Sequence, residues 1–180
     1  MRNLDKFNRL ERPWIVRTFS PRIQKDLEII NRPDNLPPIE SLFIHGPTGT
    51  GKTIISIFMY LEIKKKLYLE QSDDTISFTK TSEVFNGLKA SFDDPLVSEQ
   101  VIINTLSEMD YLILDDFGSE KPSDWMLSVF YLLIDRRYEN LKTTIFTSNH
   151  SLKEIAVKFG DDRITSRIQR MCKIIKKTKY

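Results

Sequence analysis

The run Gly46-Pro47-Thr48-Gly49-Thr50-Gly51-Lys52-Thr53 has the residue types and spacing of a loop that cradles phosphates. It follows a short apolar run, Leu42 to His45, and precedes an apolar segment of helical period, Thr53 to Leu67, which is the strand, loop and helix context such a motif requires. Glycines let the backbone wrap closely, so that N–H groups and the start of the helix point at negative charge. Lys52 adds a cation for the β and γ phosphates of ATP, and Thr53 offers a hydroxyl to Mg2+. The alternative is a chance glycine-rich turn before a helix, which the flanking runs argue against.

A second run, Tyr111-Leu112-Ile113-Leu114-Asp115-Asp116, places two carboxylates at the end of a strand of buried type. Asp115 can hold magnesium, directly or through water, and Asp116 can orient or deprotonate the attacking water. Asp often terminates strands, so this run gains its meaning from lying about sixty residues after the phosphate loop. Together the two motifs distinguish a hydrolase from a protein that only binds nucleotide. A third run ends in Thr147-Ser148-Asn149, where the Asn149 amide can reach the γ-phosphate or the water. Taken alone, Asn149 reads more often as a helix cap before Ser151, so its role depends on the wider pattern.

These residues need a scaffold, and the pattern supplies one. From Ser41 onward, short apolar runs alternate with segments of helical period: 42–45, 53–67, 75–79, 82–92, 98–108, 111–114, 123–138 and 143–146. Ser151 and Glu154 form a capping box, Gly160 suits the C-terminal cap of that helix, a second helix starts at Asp161 or Asp162, and Cys172 to Lys176 reads as a last strand. The expectation is an α/β protein with about five parallel strands, helices on both faces, and ligands at the carboxyl ends of the strands. Residues 1–40, broken by Pro13, Pro21, Pro33, Pro37 and Pro38, read as an arm with one short amphipathic helix from Ile23 to Ile30. Residues 41–180 read as the core domain.

Composition sets limits on function. The 180 residues suit one domain, and the net charge of +2 does not by itself announce a nucleic-acid binder. Cys172 is the single cysteine, and no N-terminal apolar run has the form of a signal peptide or the length of a membrane span, so a cytosolic, disulfide-free protein is expected. The two histidines, His45 and His150, have no companion cysteines and read as ordinary strand-end and loop residues rather than zinc ligands.

GPTGTGKT at 46–53, YLILDDFGSEK at 111–121, DRRYENLKTTIFTSN at 135–149 and DDRITSRI at 161–168 together resemble the DnaC/IstB-like AAA+ ATPases, a family of helicase loaders and transposon ATP-binding helpers. The resemblance runs from about Phe19 to Met171. It implies an AAA+ core, Asn149 as the sensor of the γ-phosphate, and an arginine finger from the DRITSRI segment, Arg167 with Arg163 in reserve, that reaches a neighbouring subunit's ATP. It also implies that the helices between Ser82 and Glu108 border a single-stranded DNA path. Two departures stand out. About forty residues precede the first strand where loaders usually carry a sizeable helicase-gripping domain, and the last strand leaves no room for the small helical lid of most AAA+ proteins. A compact phage or mobile-element member fits both.

Seven basic residues against two acidic ones follow from Asp161 to Tyr180. Arg163, Arg167 and Arg170 recur at helical spacing beside Ile164, Ile168 and Met171, which is expected to place them on one exposed face; for Arg170 and the lysines a plain solvated face is an equal reading. Single strands are held by aromatic stacking beside positive charge, which nominates Lys89 with Phe92, and Ser123 with Trp125. Phe92 also continues the stripe Val84, Leu88, Phe92 and so reads as core too. The leading expectation is an ATP-dependent assembly factor that binds single-stranded DNA and acts on a replicative helicase, as a homo-oligomeric ring or filament away from membranes. The alternative is a transposition helper that binds duplex DNA and a transposase. A small-molecule kinase shares the phosphate loop but gives no reason for the TSN and DRITSRI segments.

Overall fold

The computed structural model describes residues 18–30, 32–33, 35–93 and 98–178. The start of the proline-broken arm therefore lies outside the described residues. Elements follow in the order α1 (Pro21–Ile29), β1 (Leu42–His45), α2 (Lys52–Glu70), β2 (Ile76–Lys80), α3 (Thr81–Asp93), α4 (Glu99–Glu108) and β3 (Tyr111–Asp115). They continue with α5 (Asp124–Glu139), β4 (Thr143–Ser148), α6 (Leu152–Phe159), α7 (Arg163–Met171) and β5 (Lys173–Lys176). The five strands form one sheet in the order β2-β3-β4-β1-β5, and every pairing is parallel.

Strands of a covered parallel sheet bury both faces, and here β1, β3 and the middle of β4 carry apolar residues on both. Leu42, Ile44, Ile113 and Ile145 pack with Ile57, Leu61 and Ile63 of α2, whereas the alternate residues Phe43, Leu112, Leu114 and Phe146 pack with α3, α4, α5, α6 and α7. Phe19 ties the segment before α1 to the first layer, with its ring edge-on to Tyr60 at 5.6 Å and to Phe78 at 5.0 Å. Among the described residues no helix is long and apolar enough to cross a membrane.

Among the described residues one charged side chain is fully buried. Arg137 donates through Nε to Thr144 Oγ1 (2.8 Å), and through its terminal nitrogens to the carbonyls of Leu106, Met109 and Thr143 (each 2.7 Å). Burial pulls its pKa down to about 10, with Asp110 opposing. The guanidinium thus satisfies carbonyls at the C-terminal end of α4, which a helix leaves without partners of its own, and ties them to the start of β4.

The strand order determines where a site can form. From β1 the chain crosses over β4 and β3 to β2, while β5 pairs on the other side of β1, so the loop after β1 opens at the carboxyl edge beside the ends of β4 and β3.

Candidate nucleotide site

Gly46, Gly49 and Gly51 all have positive φ, at 150°, 84° and 78°. At Gly46 the need is also steric, because a Cβ there would lie 2.1 Å from the Lys177 carbonyl oxygen. Gly51 caps α2 in the left-handed conformation and offers no side chain to the first turn, which leaves the N–H groups there available to an anion. Lys52 is buried, and its Nζ donates to the carbonyls of Gly46 (2.7 Å) and Pro47 (2.9 Å) and to Asn149 Oδ1 (2.9 Å). Burial lowers the lysine pKa, and the nearby Asp116 and Asp115 act the other way. The loop is therefore folded around its own ammonium group at the position where phosphates would take over those bonds.

Asp115 ends β3 and is only 3% exposed. Its Oδ1 accepts hydrogen bonds from Thr147 Oγ1 at 2.6 Å and Thr53 Oγ1 at 3.0 Å. Burial raises its pKa, and the bonds from Thr147 and Thr53 oppose that shift. A magnesium ion wants hard oxygen donors and keeps several waters and phosphate oxygens. The Thr53 hydroxyl and Asp115 carboxylate fit that demand, and no group of three or more His, Cys, Asp or Glu among the described residues offers a protein-only cage instead.

The next residue departs from the strand. Asp116 adopts φ 57°, a left-handed conformation that Asp tolerates better than most residues, and its backbone N–H donates to Thr147 Oγ1 at 3.0 Å. This turn separates the two carboxylates: Asp115 bonds the hydroxyls of Thr53 and Thr147, whereas Asp116 Oδ1 accepts from Asn149 Nδ2 at 3.0 Å. Asn149 is not the cap of α6, because Ser151 and Glu154 form the capping box themselves. Its amide instead bridges the loop and the acidic strand end, with Oδ1 facing Lys52 and, at 3.4 Å, Thr48. Thr147 is the residue that sequence reasoning undervalued. It was visible only as a polar strand end, yet its hydroxyl joins Asp115 and Asp116. Lys158 gave no sequence signal; its Nζ donates to the carbonyls of Gly118 (2.8 Å) and Ser119, fastening α6 to the loop after Asp116.

This set can bind a triphosphate, hold a divalent cation and place a second carboxylate beside a side-chain amide at the edge of the loop. Residues 21–178 match the family described as IstB-like ATP binding protein. The chain belongs to this family. Its members are P-loop ATPases, and the sheet order and helices are those of an AAA+ core. Over 131 residues the chain is 22% identical to the replicative helicase loader DnaC of Escherichia coli K12, covering 73% of this chain and 51% of the relative. It is 29% identical over 132 residues to an ATP-binding protein of insertion sequence IS232 from Bacillus thuringiensis subsp. berliner, covering 72% and 48%. The chain thus spans about half the length of the curated relatives it matches. The crystal structure of the DnaC helicase loader superposes with a TM-score of 0.62 at 25% identity, over 89% of this chain and 93% of that one.

Other expected family residues are placed less simply. Arg167 was expected on an open face; it is half-buried, its Nε donating to Asp135 Oδ1 at 2.7 Å and its guanidinium lying 4.9 Å from the centre of the Tyr138 ring. The cause is that α7 packs on α5, so this arginine meets the polar stripe of that helix while Arg163 and Arg170 remain exposed. Lys89 is exposed on α3, and the Phe92 side chain lies outside what is described. Ser123 caps α5, its hydroxyl accepting from the Met126 N–H at 3.4 Å. Trp125, nominated for stacking, is half-buried and packs against the larger apolar cluster.

Proposed function

We propose that this chain binds ATP with magnesium through residues 46–53, hydrolyses it, and uses the cycle to act on a replicative helicase while bound to single-stranded DNA. The observation that carries the catalytic part is one continuous network at the carboxyl edge of the sheet: Lys52 to Asn149 to Asp116 on one side, Thr53 to Asp115 to Thr147 on the other. In this reading Lys52 and the loop backbone bind the phosphates, Thr53 and Asp115 hold magnesium, Asp116 takes the proton of the attacking water, and Asn149 reports the γ-phosphate. Arg167 completes a neighbour's site in a homo-oligomeric ring or filament. Residues 41–180 form the ATPase core, and 1–40 an arm with its short helix. Lys89, Phe92, Ser123 and Trp125 line the DNA path.

The loader reading is supported by the likeness to DnaC, whose name states its work on a replicative helicase. A second reading is favoured by the IS232 relative, at 29% identity: a transposition helper that binds duplex DNA and a transposase. One experiment separates them. Fluorescence anisotropy with single-stranded and duplex oligonucleotides, in the presence of a slowly hydrolysed ATP analogue, is followed by copurification of the same complex from host cells. Preference for single strands with recovery of a hexameric helicase supports the first reading; preference for duplex with recovery of a transposase overturns it.

A further inference from the structure

Helix α5 carries Tyr131, Asp135 and Tyr138 at positions i, i+4 and i+7, so the three share one face. Against this face lies α7 with its arginines. Arg163 sits 5.3 Å from the centre of the Tyr131 ring and pairs with Asp161 of its own segment, whereas Arg167 is held from two sides by α5. Asp135 Oδ1 accepts from Arg167 Nε at 2.7 Å, and Tyr138 lies under the guanidinium at 4.9 Å. Anchoring through Nε leaves the tip of the fork to the adjoining pocket, about 210 Å³ in volume, which Tyr131, Ser166, Arg167 and Arg170 help to line. A guanidinium binds a phosphate best through two parallel N–H groups, and its usual cost is freezing a long, flexible side chain. Prior immobilisation reduces that cost when the phosphate arrives.

We propose that Asp135 is a positioning residue: it fixes Arg167 by Nε, with Tyr138 as the floor beneath, so that the terminal nitrogens stand ready for the phosphates of an adjoining subunit. This rests on the reading of Arg167 as a residue acting in trans. Asp135 bonds Arg167 and is paired with none of the residues 46–53, Asp115, Asp116 or Asn149 that make up its own subunit's site, so its effect belongs to the protomer that donates the arginine and not to the one that receives it. That asymmetry is what a purely structural residue lacks.

The test uses mixed oligomers of the full chain. An Asp116→Asn protein donates Arg167, and an Arg167→Ala protein supplies an otherwise intact site; restored ATPase activity on mixing establishes action in trans. The donor is then remade with Asp135→Asn added. The expected result is a kcat roughly two- to five-fold lower, the range that loss of one half-exposed ion pair permits, with the KM for ATP unchanged. Asp135→Glu in the donor, which keeps the charge, recovers most of the loss. Asp135→Asn added to the receiving protein instead leaves kcat where it was, which also controls for folding and assembly. Equal activity with and without Asp135 in the donor overturns the proposal while leaving the trans arginine intact, and so does a rise in kcat, which would make the pair a restraint. If the first mixture shows no restored activity, the reading of Arg167 itself fails and the role of Asp135 falls with it.

Discussion

Replacing Thr147 with valine removes one oxygen and little else, yet that oxygen serves two partners. It donates to Asp115 Oδ1 at 2.6 Å and accepts the Asp116 N–H at 3.0 Å, in a residue only 1% exposed. A hydrogen bond to a charged group contributes about 1.5–3 kcal/mol, and a buried N–H left unpaired costs about 1–3 kcal/mol. Valine recovers a fraction of this by being apolar, so the net loss is about 2–4 kcal/mol. For a chain of this size that lowers Tm by roughly 4–16 °C. A second effect concerns protons. Burial already raises the Asp115 pKa above 3.8, and the Thr147 bond opposes that shift. The folded state therefore holds this proton to higher pH than the unfolded chain does, and its contribution to stability declines as pH rises from 3.8 through the folded pKa. Without Thr147 the folded pKa rises further, so magnesium, which needs the carboxylate, competes less well on the acid side. Thermal unfolding of the free protein, and calorimetry of Mg-ATP binding as pH is lowered from 8, read the two effects separately. A Tm within about 1 °C of wild type and superimposable affinity curves would refute this account of the acidic strand end.

Lys52→Ala should abolish most ATP binding, since the ammonium that now closes the loop on Gly46, Pro47 and Asn149 is the cation aimed at the phosphates; unchanged affinity in calorimetry would count against the assignment. Arg137→Met should cost about 3 kcal/mol or more, because the carbonyls of Leu106, Met109 and Thr143 lose their donor, and circular dichroism should show a Tm lower by roughly 6–12 °C. Asp110 is held down to about 2, chiefly by the Lys142 hydrogen bond and then by the Thr75 N–H, so its stabilisation is present above pH 3.8 and disappears as pH falls from there to about 2. After allowance for solvent screening this amounts to about 1 kcal/mol, and Asp110→Asn should flatten the Tm profile in that window; an unchanged slope would refute it.

The sheet was legible because β1, β3 and the middle of β4 are apolar on both faces and punctuated by polar ends. Leu42–His45 emerges with the expected bounds, and Tyr111–Leu114 and Thr143–Phe146 are extended only by the polar residues that end them. The phosphate loop was legible because its function constrains backbone and side chain together: the glycines at 46, 49 and 51 take conformations that other residues resist. What periodicity cannot show is which polar group meets which. Thr147 looked like one hydroxyl among several, and its importance comes from parallel pairing that sets β4 beside β3, a contact across more than thirty residues. Arg167 was placed on an open face because the apolar stripe of α7 fixes only the buried side; the stripe cannot reveal that α5 opposes the flank of the helix with Asp135 and two tyrosines. Trp125 shows the same limit, since its neighbours Ser123 and Asp124 are polar while its ring rests on the core.

The central claim, that this edge of the sheet hydrolyses ATP, is tested most directly by turnover and Mg-ATP affinity measured on the same preparation of Asp116→Asn. Asparagine tolerates the left-handed backbone at φ 57° and its carbonyl can still accept from Asn149 Nδ2, so the fold and the bridge survive the change. Only the proton acceptor is lost. The account predicts affinity within about two-fold of wild type, with turnover lower by about 10²-fold or more. Turnover at the wild-type rate with the same affinity would contradict it and remove Asp116 from the chemistry.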